Sequence, residues 1–183
     1  MDAVSAATWL RRNALALSAV AVLLPVTAAV VVGNEWWSAN SGRDVFPVTV
    51  AEGESARFGG ISWGPARASD AEPGENAELP PRTKVIAVDI PVDRHGKATT
   101  CTVTGLRETS GAQREWQVDT KTTDWNYRLQ TFCKSESTVE SGQSGPFTLS
   151  LPFVVPDDID GPLAVDLVVI DELPRFLRVE VTP

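Results

Sequence analysis

The chain is poor in the side chains that most enzyme chemistry uses: one histidine, one tyrosine, one methionine and two cysteines among 183 residues. A serine or cysteine hydrolase needs a histidine within reach of both a nucleophile and an orienting acid. His95 would have to serve every such scheme, and it sits in Asp93-Arg94-His95-Gly96-Lys97, which reads as a hairpin turn. No Gly-x-Ser-x-Gly elbow is present, so His95 is read as a turn residue and not as a base. No Cys-x-x-Cys spacing exists, which leaves a redox or metal pair without its usual signature. Basic residues are outnumbered, 16 Lys and Arg against 24 Asp and Glu, for a net charge of −8. That balance excludes nucleic acid as a partner, because phosphate binding needs a surplus of cations on one face. It also disfavours docking on an anionic lipid surface. There is no internal repeat, and beyond the N-terminal segment no long amphipathic helix.

What is present begins with residues 13–32, NALALSAVAVLLPVTAAVVV, a run without a charge. As a helix it is roughly 30 Å long, the thickness of bilayer hydrocarbon. Arg11 and Arg12 precede it and Glu35 follows it, so the positive-inside rule leaves residues 1–12 in the cytoplasm and the rest outside. Trp9 on one side and Trp36 and Trp37 on the other suit the two membrane interfaces, and Pro25 is tolerated within a span. The competing reading is a signal peptide cleaved after Ala28, at Val26-Thr27-Ala28. Continuation of the apolar run through Val30, Val31 and Val32 favours a single-pass signal anchor in the cell membrane over a secreted product. The residues around Arg11-Arg12 fit a twin-arginine signal poorly, and no cysteine lies near enough for a lipoprotein anchor.

Residues 33–45 read as a short linker of at most about 40 Å, and residues 46–183 as the exported domain. There the period becomes alternating, with turn residues every eight to twelve positions. Strands are predicted at 46–50, at 55–63 with a bend at Gly59-Gly60, and at 85–92, where Ile86, Val88, Ile90 and Val92 share a face. Others are predicted at 99–104, with Cys101 and Val103 together, at 114–118 and at 127–133. The last three are Phe147-Leu149-Leu151-Phe153, Leu163-Val165-Leu167-Val169, and 176–181 with Leu177, Val179 and Val181 together. Residues 65–82 read as a long, solvated, mobile loop. The pattern is an all-β chain of eight or nine strands, an antiparallel β-sandwich behind one transmembrane helix. Cys101 and Cys133, in separate predicted strands outside the cytoplasm, are expected to form a disulfide worth about 3–4 kcal/mol.

Residues 79–92, LPPRTKVIAVDIPV, and 141–156, SGQSGPFTLSLPFVVP, resemble the turn-to-strand steps of telokin-like immunoglobulin-fold domains of exported bacterial proteins. The resemblance covers roughly residues 48–182. An anchor followed by such a domain also resembles membrane proteins of high-GC Gram-positive bacteria, that is, actinobacteria. The resemblance implies an immunoglobulin-like sandwich outside the cytoplasm and brings no catalytic residues with it.

Asp157, Asp158 and Asp160 put three carboxylates in five positions beside Gly161, a source of oxygen ligands for calcium. EF-hand spacing fails, however, since Pro162 and Leu163 fall where ligands belong, and an acidic turn between strands explains the cluster. Asp171-Glu172 reads as a polar connection into the last strand and not as a glycosidase pair. Trp63, Trp116 and Trp125 suit core packing. If Trp116, Trp125 and Tyr127 were instead exposed together, they would form a contact surface for protein or glycan. No cofactor is implied. The expectation is a non-enzymatic, membrane-tethered extracytoplasmic interaction or accessory module with a protein partner in the membrane or cell wall. The alternative is an extracytoplasmic ligand- or calcium-binding domain.

Overall fold

The computed structural model describes residues 6–96, 100–126, 131 and 145–183. Two compact units divide the chain after Arg43. The first is helical: α1 at Ala6–Arg12 and α2 at Ala14–Asn40. Asn13 interrupts them because its side-chain amide donates to the Trp9 carbonyl at 2.9 Å while its own N–H donates there at 3.0 Å. This local competition for a helix acceptor is typical of Asn. The 27 residues of α2 bury nothing against protein, and α2 is long and apolar enough to cross a membrane, as a signal sequence also would be. The helix continues past Val32, where the apolar run stops. Gly33, Asn34 and Glu35 end the hydrophobicity but do not break the backbone ladder, since extending a formed helix is cheap. Asn40 closes it by donating Nδ2 to the Trp36 carbonyl at 2.7 Å. Trp9, Trp36 and Trp37 are all exposed on this unit.

The second unit carries ten strands among the described residues: β1 Phe46–Val50, β2 Ala56–Phe58, β3 Ile61–Trp63, β4 Arg67–Ala71, β5 Thr83–Asp93, β6 Cys101–Glu108, β7 Glu115–Trp116, β8 Phe147–Pro156, β9 Leu163–Val169 and β10 Arg175–Val181. One sheet runs β1-β10-β9-β6-β7, with β1 parallel to β10 and the other pairs antiparallel. In the other, β8 occupies one whole edge of β5, from Thr83↔Pro156 to Val92↔Phe147. Consequently β3, paired at Val92 and Asp93, and β4, paired from Val85 to Asp89, share the opposite edge, with β2 outside β3. Both sheets feed one core: Trp63, Ile86, Val88, Ile90, Leu149, Leu151 and Phe153 from the second, and Leu106, Leu163, Val165, Leu167, Leu177 and Val179 from the first. The alternations predicted for β5, β8, β9 and β10 are those that face this core.

Two local readings change. Gly59 and Gly60, expected as a bend or bulge, form a two-residue hairpin turn between Phe58 and its partner Ile61, with φ of +62° and +76°; positive φ at both centres is the turn that matches strand twist. Residues 65–82, expected as a solvated loop, contain β4, and Ala66 is buried. Arg67-Ala68-Ser69-Asp70-Ala71 lacks an apolar face because an edge strand contributes main-chain hydrogen bonds more than side-chain burial. The rest of the segment is tied down as well. Gly74 N–H donates to the Thr123 carbonyl at 2.8 Å and Glu78 N–H to Thr122 at 3.1 Å. The Asp124 carboxylate accepts the Asn76 N–H and side-chain amide, each at 3.1 Å. The approach at Gly74 is so close that a Cβ would lie 2.2 Å from the Asp124 carbonyl oxygen.

Candidate functional site

The arrangement richest in chemistry lies on the outer face of the second sheet. Ile61 and Trp63 point into the core, so Ser62 between them points out. Directly opposite Ser62 stand Asp93 on β5 and Arg57 on β2, and residues paired across strands share a face. Arg57, Ser62 and Asp93 therefore form a row. Beyond Asp93 the chain turns back. The Asp93 carboxylate accepts the His95 backbone N–H at 2.9 Å, an Asx-type turn, and His95 takes the left-handed conformation at φ +49° before Gly96 at +77°. The turn brings the imidazole back over the row.

His95 Nε2 then lies 2.8 Å from the Ser62 hydroxyl oxygen, and Nδ1 lies 3.4 Å from Asp93 Oδ2. A carboxylate facing Nδ1 favours the tautomer with its proton there, which leaves Nε2 to accept from Ser62. The His95 and Asp93 side chains are 44% and 40% exposed, so the group is open to solutes. Beside it runs a shallow groove of about 290 Å³, bordered by Ser62 and Asp93 and walled by Gly64, Pro91, Val92, Pro146, Phe147 and Thr148. Arg94 anchors the turn: it is buried, with its guanidinium 4.7 Å from the Phe147 ring centroid. His95 is thus a turn residue, as its sequence neighbours indicate, and its conformation in that turn places it against a hydroxyl and a carboxylate. The Asp-x-His spacing was visible in sequence; Ser62 was not, because its proximity depends on strand register.

A second charged group lies on the outer face of the first sheet. Arg178 on β10 donates Nε and Nη2 to the two Asp166 carboxylate oxygens, both at 2.7 Å. Arg107 on β6 approaches Asp166 at 3.1 Å and donates Nη2 to Glu115 at 3.0 Å. Asp166 raises the Arg178 guanidinium above its ordinary value through that hydrogen bond, against the opposing effect of burial. Two cations and two anions close on one another here, which holds strands together and leaves no free charge for a ligand.

The other candidates are scattered. Asp158 sits 3.8 Å from Arg114 Nη1. Among the described residues no three His, Cys, Asp or Glu side chains gather as a metal site, and Asp157, Asp158 and Asp160 are not brought together as one. Glu172 bonds Arg175 across the turn before β10. Trp116 is half-buried against the core with the Arg114 guanidinium 5.6 Å from its ring. Trp125 is half-buried with its indole N–H enclosed and unbonded. Tyr127 lies outside the described residues. Cys101 is buried in the core and is not a free thiol; Cys133 lies outside the described residues.

No family model, curated protein or solved structure matches the chain.

Proposed function

We propose that the chain is a membrane-tethered, extracytoplasmic immunoglobulin-like module that contacts a protein partner in the same membrane or the adjoining wall. The observation that carries the reading is the pairing of an apolar helix of 27 residues, buried against nothing, with a separately compact β unit. Arg11 and Arg12 before the span and Glu35 after it support an outward-facing β unit. Five residues, 41–45, connect α2 to β1, a tether of about 17 Å at most, which suits a partner close to the membrane.

Strand order supports the immunoglobulin-like part. β5 and β8 are neighbours in one sheet, β6, β9 and β10 in the other, and the chain changes sheet between β5 and β6 and between β8 and β9. Strands B and E, and C, F and G, have these relations in an immunoglobulin sandwich. The contact surface we infer is polar. Among the described residues of the β unit, only Phe46 and Ile170 are large exposed apolar side chains, too few for an apolar patch.

Protease added to intact spheroplasts expressing the full chain tests the orientation, and cross-linking in the same cells tests the partner. The expected result is digestion of the β unit, with a protected N-terminal fragment, and one reproducible cross-linked neighbour. A protected β unit, or a mature mass lacking residues 1–28, would overturn the tethered reading.

A further inference from the structure

We propose that Ser62 is an acyl-accepting nucleophile, with His95 as its base and Asp93 as the residue that positions His95, acting on small carboxylic esters. This goes beyond the tethered-module reading and does not depend on it. A serine hydroxyl is a weak nucleophile until a base takes its proton, and His95 Nε2 is within hydrogen-bond distance of the Ser62 oxygen at 2.8 Å. Asp93 holds the His95 backbone N–H at 2.9 Å and faces Nδ1 at 3.4 Å, which anchors the turn that carries the ring and favours the tautomer with its proton on Nδ1. Nucleophile, base and orienting acid are thus in the order that acyl transfer requires, recognised by geometry and not by sequence position.

The surroundings give the substrate class. Arg57, opposite Ser62 in register and on the same face, puts a cation on the neighbouring strand, within reach of a carbonyl oxygen that becomes an oxyanion. Oriented positive charge at that position stabilises the transition state. The groove alongside is only about 290 Å³ in volume, with Pro91 and Pro146 as its apolar side chains beside Thr148, which fits a short acyl group. In the step itself, the Ser62 oxygen bonds the ester carbonyl carbon and its proton passes to His95 Nε2. The bond to the leaving alcohol breaks, and the alcohol departs with that proton. Water then attacks the acyl-serine, its proton passing through His95 back to the Ser62 oxygen, and the acid leaves. Nothing is oxidised or reduced.

The test uses the full chain in detergent with two probes, a tagged fluorophosphonate and p-nitrophenyl butyrate. A fluorophosphonate forms a Ser62 oxygen–phosphorus bond and expels fluoride. We expect a single label mapped to Ser62 by peptide mass, none in Ser62→Ala, and labelling at least about a hundredfold slower in His95→Gln, the usual contribution of a general base. Asp93→Asn should slow labelling about tenfold and displace its pH profile, which a purely structural role would not do. Among the described residues, the charged groups bearing on that profile are Arg57 from β2 and Asp93 and Arg94 beside His95. The ester should show a burst matching the protein concentration. Wild-type protein that carries no label at Ser62, or His95→Gln labelling at the wild-type rate, would overturn the proposal. The wild-type arm decides even if a variant fails to fold.

Discussion

Replacing Asp166 by alanine should be among the most damaging changes outside the hydrophobic core. The Asp166 side chain is 5% exposed and accepts two 2.7 Å hydrogen bonds from Arg178, with Arg107 3.1 Å away. Removing one member of a fully buried ion pair costs about 3–5 kcal/mol, because the remaining charge is stranded. Here the two arginine side chains are 23% and 34% exposed, so water partly solvates them and the stranding is milder. What remains is the loss of charge-assisted hydrogen bonds at about 1.5–3 kcal/mol each, partly recovered from water. The expected loss is therefore about 2–3 kcal/mol, or roughly 7–10 °C in melting temperature for a unit of this size. The assay is urea unfolding of residues 44–183, which form their own compact unit, followed by tryptophan fluorescence. A companion triple variant, Arg107→Met, Asp166→Leu and Arg178→Met, should stay within about 1 kcal/mol of wild type, since no buried charge is stranded and Glu115, which loses Arg107, is 42% exposed and stays hydrated. A loss below about 1 kcal/mol in Asp166→Ala would refute the reasoning, as would a triple variant as unstable as the single one.

Acid should weaken the β unit at two named carboxyls. Arg114 holds the Glu108 carboxyl below its ordinary value of 4.5 through side-chain and backbone hydrogen bonds. At Asp119 burial pulls upward, but hydrogen bonds from Thr122 and Lys121, with the Lys121 charge, outweigh it and leave the carboxyl below 3.8. A lowered carboxyl contributes stability that is full above its unfolded value and lost as pH falls through the folded one. The gap in urea midpoint between wild type and Glu108→Gln should thus be constant down to about pH 5 and close below it; a gap that widens on acidification would contradict this. Gly74→Ala should cost about 1–3 kcal/mol by overpacking, because its Cβ would meet the Asp124 backbone oxygen. Gly161→Ala, where nothing lies within 4 Å, should stay within about 0.5 kcal/mol. Cys101→Ser should cost about 3–4 kcal/mol if the bridge to Cys133 forms, and alkylation of the unreduced, denatured protein should add no mass. Two added alkyl groups would refute the bridge.

The parts of the fold most legible in the sequence are those whose signal is periodic. β5, β8, β9 and β10 alternate because one of their faces meets a continuous core, and the apolar run of α2 stands out for the same reason, a sustained local composition. β4 was not legible. It is an edge strand that pairs through its main chain, and main-chain pairing leaves no trace in side-chain identity. α2 runs on to Asn40, beyond the apolar run, because polarity at Gly33-Asn34-Glu35 marks the end of hydrophobicity, whereas a helix ends only where a cap or a turn competes with it. The ties between residues 74–78 and 122–124 join loops nearly fifty positions apart. No local reading reports such a contact.

The candidate site was half legible, and the division has a physical cause. Asp93 and His95 are two positions apart, so a local turn rule brings them together. Ser62 joins them only through pairing with Asp93, and that pairing is determined by side chains other than its own. Ile61 and Trp63, both fully buried, allow β3 one register: a slip of a single residue would expose both and turn Ser62 inward. The core thus places a hydroxyl on the outer face, opposite a carboxylate, with no contribution from the hydroxyl to the choice. It follows that Ser62→Ala should leave the unfolding free energy in urea within about 0.5 kcal/mol of wild type. Ile61→Ala, by contrast, should cost about 2–5 kcal/mol and loosen the spacing between Ser62 and His95. If Ser62 itself proved necessary for folding, the Ser62–His95 contact would be a structural clasp, and the polar row across β2, β3 and β5 would need no chemistry to account for it.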